Sequence, residues 1–527
     1  AEARAVYAEA AGIARVLPQA VAVPVDADDV VALVRWAAAT GTALIPRGSG
    51  SSMGGGAVGD GVVVDLSRLD EIGPVDVTRR RLWVGPGALR DQVEATARAR
   101  KLRFPPDPAS GAFCTVGGMA ATNAAGARTL KFGATRPWIA ALDCVFADGT
   151  RATVRRGAPP PEGVPALERL EAMRQRVGRR ALLAAGSPTG VRKDSSGYAL
   201  TEYVRGDLVD LLVGSEGTLA LFVGLELALK PVPGATSSVL AAFDTLEACV
   251  EAAGVARELG ACACEMLDRT FLDVARRGDA PVPVPEGAEG VLLVELEGAD
   301  AATAADQARR VERAFRDRQA ASIIVALHPT MEKRLWELRH LASPTLARLY
   351  PDRASMQFIE DGAVPPERLP EYVRGVRAAL ARQETPGAIF GHAGDAHVHV
   401  NPLVDMHAPD WRARVNAILR EVTELVARLG GTLAGEHGDG RLRTPLLRMV
   451  RSAEVRALYA EVKAAFDPAG ILNPGVKVPL PGQRPLAAVK YDPTLAPLPP
   501  AARAALERVA RERAYAAFRL DLLDESG

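Results

Sequence analysis

Three stretches dense in glycine and other small residues, at 46–57 (PRGSGSSMGGGA), 105–139 and 214–220 (GSEGTLA), interrupt the first 230 residues of the chain. They constrain the fold more than any other feature. A run of glycines and serines exposes backbone N–H groups with no side chains in the way, which is how a loop cradles a pyrophosphate. The first stretch is not a Walker loop, since it lacks the Gly-Lys-Ser/Thr ending. Nor is it the dinucleotide fingerprint of a βαβ unit, since a strand and not a helix follows it. Taken alone, it reads equally well as a surface turn. The second stretch would also suit two closely crossing helices, but the polar Thr115, Asn123 and Arg128 within it favour a backbone lying against a flat cofactor.

Around these loops the pattern is mixed α/β. Residues 30–41 predict an amphipathic helix, TALIP a short strand entering the first loop, 61–70 a buried strand, 82–88 a strand and turn, and 88–100 a helix. Residues 154–192 are rich in Pro and Arg around a helical PALERLEAMRQRV and form an excursion. Residues 209–233 predict two strands around the third loop, and the prolines at their end mark a boundary. From about 238 the alternation restarts as strand, helix, strand, helix, then strand–turn–strand at 387–404 and a helix closed by Gly430 and Gly431. That suggests a second layered domain with an antiparallel sheet. After GILNPG (470–475) the chain turns Pro-rich and ends in a charged helix, read as a linker plus a docking helix.

Composition excludes several classes. A length of 527 residues predicts two or three domains at roughly 100–200 residues each. With 64 basic and 64 acidic residues the chain has no excess positive charge for nucleic acid or for a polybasic membrane anchor. Five cysteines without a C-x-x-C argue against a disulfide scaffold and an iron–sulfur cluster. No run of 18 apolar residues predicts a transmembrane segment, and residues 1–25 lack the apolar region of a signal peptide. The expected location is cytoplasmic, or peripheral to the inner membrane face through a partner.

Five of the seven histidines fall between His392 and His437, four of them in GHAGDAHVHVN (391–401) and GEHGDG (435–440). His397 and His399 share one face if they lie on a strand. Each histidine alone is more often a hydrogen-bonded core residue, but four beside an acidic residue favour a site. A divalent metal, zinc foremost, takes three protein ligands when one position stays open for substrate. His392, His399 and Glu436 fit that count and leave His437 free as a base.

PRGSGSS, PPDP with CTVGGMAATNAAGAR and KFGATRPWI, ADGT, KDSSGYAL, VGSEGTL and FDPAGILNPG occur in this order over residues 20–478. Together they resemble the FAD-linked 2-hydroxy acid dehydrogenases of the vanillyl-alcohol oxidase superfamily, the group of D-lactate dehydrogenase, the glycolate oxidase large subunit and D-2-hydroxyglutarate dehydrogenase. The resemblance implies an α+β fold with a two-part FAD-binding domain (1–233), an α/β substrate or cap domain with an antiparallel sheet (234–430), a segment returning to the FAD domain (431–478), and a Pro-rich linker with a terminal helix (479–527). It implies non-covalent FAD. Arg47, Gly48, Ser49, Gly50 and Ser51 would wrap the pyrophosphate, and Pro106, Thr115, Gly117, Gly118, Asn123 and Gly126 would line the isoalloxazine and ribityl path. Glu216, Gly217 and Leu219 would lie nearby, with Asn473 closing the pocket.

The histidine segments resemble the G-H-x-G-D-G-N-x-H-x-N and G-E-H-G motifs of the same enzymes. This implies His392, His399 and Glu436 as metal ligands, His437 as the base and Asn401 on the substrate. Two departures stand out: Ala396 replaces a glycine, and His397 stands where asparagine is usual. The segment 335–348 resembles the one whose arginine forks the substrate carboxylate, which implies Arg339 in that role and Ser343 one turn on. Relatives acting on a dicarboxylate carry a lysine where this chain has Ile359, so the distal pocket is expected to be apolar and the substrate of D-lactate or glycolate type. The implied reaction oxidises a small 2-hydroxy acid to the 2-oxo acid with hydride transfer to flavin N5. A separate electron acceptor is implied: an iron–sulfur protein, cytochrome, quinone or electron-transfer flavoprotein. A zinc hydrolase and a flavin-bearing electron-transfer subunit without its own substrate site are the rival readings.

Overall fold

The computed structural model describes residues 1–524 except 185, 187, 189, 278–282, 284, 285, 341–349 and 351. Near the amino end, β1 (Ala20–Ala22), α1 (Ala27–Thr40), β2 (Leu44–Arg47) and β3 (Val62–Asp65) build a three-stranded sheet of order β1-β3-β2, parallel throughout. Helix α1 starts where the Asp26 carboxylate accepts the Asp29 amide and stops at Gly41 in the left-handed conformation. Because β2 ends at Arg47, the first glycine loop leaves from a strand end.

The second part of this region is a four-stranded antiparallel sheet. Its strands β4 (Arg81–Val84), β5 (Ile139–Val145), β6 (Arg151–Arg155) and β7 (Leu221–Ala228) pair in the order β4-β7-β5-β6. Between β4 and β5 lie α2 (Arg90–Arg98) and α3 (Val116–Thr122), the latter inside the second small-residue stretch. The expected two strands at 209–233 are corrected here. Leu208–Leu212 is a short helix, because Asp207 and Asp210 form a reciprocal capping box around it, and only the second run becomes a strand, β7.

The cap carries the large antiparallel sheet expected from the restarted pattern. Strands β8 (Ala235–Phe243), β9 (Ala263–Asp268), β10 (Gly290–Gly298), β11 (Ser322–Ala326), β12 (Gly387–His392) and β13 (His397–Val404) run in the order β11-β8-β10-β9-β12-β13. Two-residue strands at Ala354–Ser355 and Gly362–Ala363 pair with β13. Among the helices covering the sheet are α4 (Leu246–Glu258), α5 (Ala301–Arg316), α6 (Pro329–His340), α7 (Leu369–Arg382) and α8 (Trp411–Arg428). Two bidentate ion pairs join the large sheet to the amino-terminal region: Arg103 to Glu297 at 2.6 and 2.9 Å, and Arg128 to Glu295 at 2.7 and 2.8 Å.

The hairpin of β12 and β13 turns at Ala396, which is fully buried with φ of 53°. A β-carbon in the left-handed region costs roughly 1–2 kcal/mol, and glycine returns part of that as chain entropy. Ala396→Gly is therefore expected to stabilise the protein by about 0.5–1 kcal/mol, read as a raised thermal midpoint. An unchanged or lower midpoint would show that the turn is not strained.

The tail differs from the expected linker. Leu486 and Val489 pack into the cap core, Lys490 donates to the carbonyls of Ala10 and Ala11, and α9 (Pro500–Glu512) buries Ala502, Ala505 and Val509 against Ala5, Val6, Tyr7, Ile45 and Val63. The docking helix thus docks on its own chain.

Candidate active site

One cavity of about 1280 Å³ runs between the two regions. Its walls hold the first glycine loop, most of residues 107–128, Glu216 and Gly217 on one side, and Arg339, His392, His399, Asn401, Glu436 and His437 on the other. Sequence positions nearly 400 apart therefore face one space.

The register of the β12–β13 hairpin sets the histidines. His392 pairs with His397 across the turn, and His397 and His399 lie on one side of β13 with ring centroids 4.7 Å apart. Nε2 of His392 and of His399 are 3.3 Å apart, and each lies 3.4 or 3.3 Å from Oε1 of Glu436. All three side chains are buried.

Outer partners orient this triangle. Nδ1 of His392 bonds Oε1 of Glu265 at 2.5 Å, and Nδ1 of His399 donates to the Glu360 carbonyl at 2.9 Å, so both turn Nε2 inward. Glu436 splits its oxygens. Oε1 faces the histidines, and Oε2 accepts from the buried Lys193 ammonium at 2.8 Å. Burial alone would raise the Glu436 pKa, but Lys193, His392 and His397 hold it well below the usual carboxylate range. Burial likewise opposes charge on His392, yet Glu265 lifts it to about 9.

Asp361 anchors the GEHG turn. Its oxygens accept the amides of Glu436 (3.1 Å) and His437 (2.9 Å) and pair with Nε2 of His397 (2.9 Å). His397 is wholly buried, does not reach the cavity, and leaves Nδ1 without a hydrogen-bond partner, 3.8 Å from Oε2 of Glu436. Burial pushes its pKa down to about 3. The ring of His437 stacks on His399 with centroids 5.4 Å apart, and its Nδ1 lies 3.3 Å from Oε1 of Glu360. Burial opposes protonation there, but Asp361 and Glu360 outweigh it and raise His437 to about 9. Glu360 is itself gripped by Arg443.

On α6, Arg339 donates Nε to Oε2 of Glu265 at 2.8 Å and lies over the Phe390 ring at 4.4 Å. One carboxylate, Glu265, thus holds both Arg339 and His392.

Residues 18–155 match the FAD binding domain family, and residues 232–476 match the C-terminal domain of FAD linked oxidases. A D-2-hydroxyglutarate dehydrogenase of Xanthomonas citri pv. viticola is 30% identical over 470 residues, 87% of this chain and 89% of that protein. The chain belongs to the FAD-linked oxidase family. The glycolate oxidase subunit GlcD of Bacillus subtilis is 29% identical over 87% of this chain and 88% of its own length, and a D-lactate dehydrogenase of Archaeoglobus fulgidus is 28% identical over 86% and 89%. Among solved structures, a 4-ethylphenol oxidase from Gulosibacter chungangensis shares the fold with a TM-score of 0.63 at 16% identity, covering 88% of this chain and 89% of that one. As a FAD-dependent oxidoreductase the chain is not a zinc hydrolase.

The residues present suit a FAD-linked oxidase. Carbonyls of Ser49, Gly50 and Ser52 are taken by Arg519, Ala11 and Gly12, whereas the amides of residues 48–51 make no hydrogen bond among the described residues. Those N–H groups are left as donors that an anion such as a pyrophosphate could take. Gly50 has φ of 74°, and a β-carbon there would meet Arg47 Nη2 at 2.4 Å, so a larger residue would be strained and would displace the Arg47 guanidinium.

Of the residues singled out for cofactor binding, Arg47 to Ser51, Thr115, Gly117, Gly118, Gly126, Glu216, Gly217 and Asn473 line the cavity. Pro106, Asn123 and Leu219 sit behind its wall: the Pro106 carbonyl accepts from Arg90, Asn123 Oδ1 accepts the Arg136 amide, and Leu219 is core. Glu216 also accepts the amides of Asp439 and Gly440 and pairs with Lys477 at 2.9 Å. Asn401 reaches the cavity beside Gln357, while Ser343 lies outside the described residues. Ile359 packs in the cap core and does not line the cavity, so pocket polarity is not set by that side chain.

Sequence reading assigned no role to Lys193, Glu265, Glu360 or Asp361. Lys193 stood in the quoted KDSSGYAL segment and the acidic pair directly follows Ile359, but Glu265, in the strand ACEMLD, carried no signal. Replacing Lys193 with Met would leave the buried Glu436 and, at 3.9 Å, Asp395 without their cation. A loss of roughly 3–5 kcal/mol is expected in a denaturant titration of metal-free protein. An unchanged midpoint would remove Lys193 from the supporting frame.

Proposed function

We propose that this chain oxidises a small 2-hydroxy monocarboxylate, of D-lactate or glycolate type, to the 2-oxo acid with non-covalently held FAD and a divalent metal, zinc foremost. The observation that carries the reading is one cavity shared by the glycine-loop nest and the His392–His399–Glu436 triangle. A four-coordinate ion about 2.0–2.1 Å from each donor sets the donors about 3.3–3.4 Å apart. The 3.3, 3.3 and 3.4 Å sides match that separation. Bound, the metal supplies Lewis acidity to the substrate oxygens, and the flavin supplies the hydride acceptor.

The chain's own residues then orient the substrate and move its proton. Arg339, aimed by Glu265, pairs with the substrate carboxylate. His437, its Nδ1 held by Glu360, accepts the hydroxyl proton at Nε2 from its neutral form, and Asp361 with Glu360 favours the imidazolium so formed. Trp336 and Phe390 flank Arg339 on the cavity wall, and the lining Arg128 is committed to Asp107 and Glu295, which supports a substrate with a single carboxylate. Electrons leave to a separate protein acceptor. That the Bacillus subtilis relative is named a subunit supports a partner. No described helix is long and apolar enough to cross a membrane.

Anaerobic mixing of the holoenzyme with D-lactate, L-lactate, glycolate and 2-hydroxyglutarate tests this. Flavin absorption is expected to bleach with a monocarboxylate. Bleaching by none would end the reading, and fastest bleaching by 2-hydroxyglutarate would overturn its monocarboxylate part.

A further inference from the structure

The C-terminal segment beyond residue 476, where the family match ends, reaches the cofactor cavity. Helix α9 is fastened to the face of the parallel sheet whose strand β2 feeds the glycine loop. The chain reverses at Arg513, with φ of 55°, and brings Arg513 and Tyr515 to the cavity wall. The Tyr515 ring lies 5.3 Å from that of Phe113, and the Arg513 guanidinium lies 5.0 Å from the same ring. Farther on, Arg519, 3% exposed, donates Nη2 to the Ser49 carbonyl at 3.0 Å, inside the glycine loop itself.

Two buried guanidiniums therefore flank one loop. Arg47 is 2% exposed and leaves Nε and Nη2 without hydrogen-bond partners, and Arg519 leaves Nε so. Burial and then the neighbouring Arg47 depress Arg519 to about 10, while Asp65 is the carboxylate that opposes this. Like charges packed around a nest of unbonded amides are relieved by an anion above it. The redox ring has to face the histidine end, and the described contacts of residues 510–519 include none with the histidine cluster. A bound FAD would then put its pyrophosphate over the loop and its adenosine beyond it, beside Phe113 and Tyr515.

We infer that residues 510–519 form the outer wall of the dinucleotide cavity, holding the adenosine-diphosphate half of FAD, so that flavin release requires this segment to undock. Arg519 adds charge beneath the pyrophosphate, Tyr515 with Phe113 offers the adenine an aromatic surface, and Arg513 closes the edge.

The test uses full-length holoenzyme and the rise of flavin fluorescence on dilution. Arg519→Met and Tyr515→Ala should each release FAD about tenfold faster, the worth of one charge-assisted or stacking contact. Arg513→Ala alters an exposed side chain, so its fold is preserved, and a smaller acceleration is expected. Trypsin provides a second measurement: cleavage at Arg511 and Arg513 in the unmodified protein should be faster after FAD is stripped. Unchanged release in the folded variants, or cleavage indifferent to FAD, would overturn the inference. Neither readout needs a substrate, so failure here is separable from failure of the 2-hydroxy acid reading.

Discussion

Replacing His437 with alanine is expected to slow substrate-driven flavin reduction by about 10²–10⁴-fold, the worth of a positioned general base. FAD should remain bound, because His437 takes no part in the glycine-loop nest. The turn should also survive, since Asp361 holds it through the backbone amides of Glu436 and His437, which alanine keeps. Stopped-flow absorbance under anaerobic conditions reads the rate, and the flavin-to-protein ratio checks the cofactor. Reduction at the unmodified rate would remove His437 from the role of base. Loss of FAD together with activity would assign the residue to the cofactor cavity instead.

Glu265→Gln is expected to weaken metal retention about 10–100-fold and to raise KM for the 2-hydroxy acid. The carboxylate accepts from Nδ1 of His392 and Nε of Arg339 with different oxygens. Glutamine offers one acceptor oxygen, and its NH₂ would meet an N–H on the other side. One of the two partners must turn away. Metal content after dialysis against graded chelator reads the first arm, and steady-state KM against kcat reads the second. A variant that keeps both its metal and its KM would show that Glu265 merely fills space between the two cationic groups.

Much of this site was legible in the chain. The strand–turn–strand reading of 387–404 set His397 and His399 on one face, because alternation along a strand decides facing without distant information, while His392 joined them through the hairpin pairing. The glycine loops could be read only together with the ordered motifs, because a run of small residues by itself fits a surface turn equally well. Strand-like apolar runs misled at 208–212, where Asp207 and Asp210 close a helical capping box around a segment otherwise suited to a strand. The terminal helix was foreseen, but its dock was not: Ala502, Ala505 and Val509 carry no signal that their partners are Ala5, Val6 and Tyr7, at the opposite end of the sequence.

Residue types, the order of the motifs and the family resemblance they carry supply the α+β fold and the proposed donors His392, His399 and Glu436. What only the tertiary structure decided is the frame that aims those donors. Glu265 meets His392 across 127 residues and Lys193 meets Glu436 across 243. Such pairs depend on strand register and on how two domains close over a cavity. A buried charge is tolerated only when a partner reaches it in space, and order along the chain does not record that.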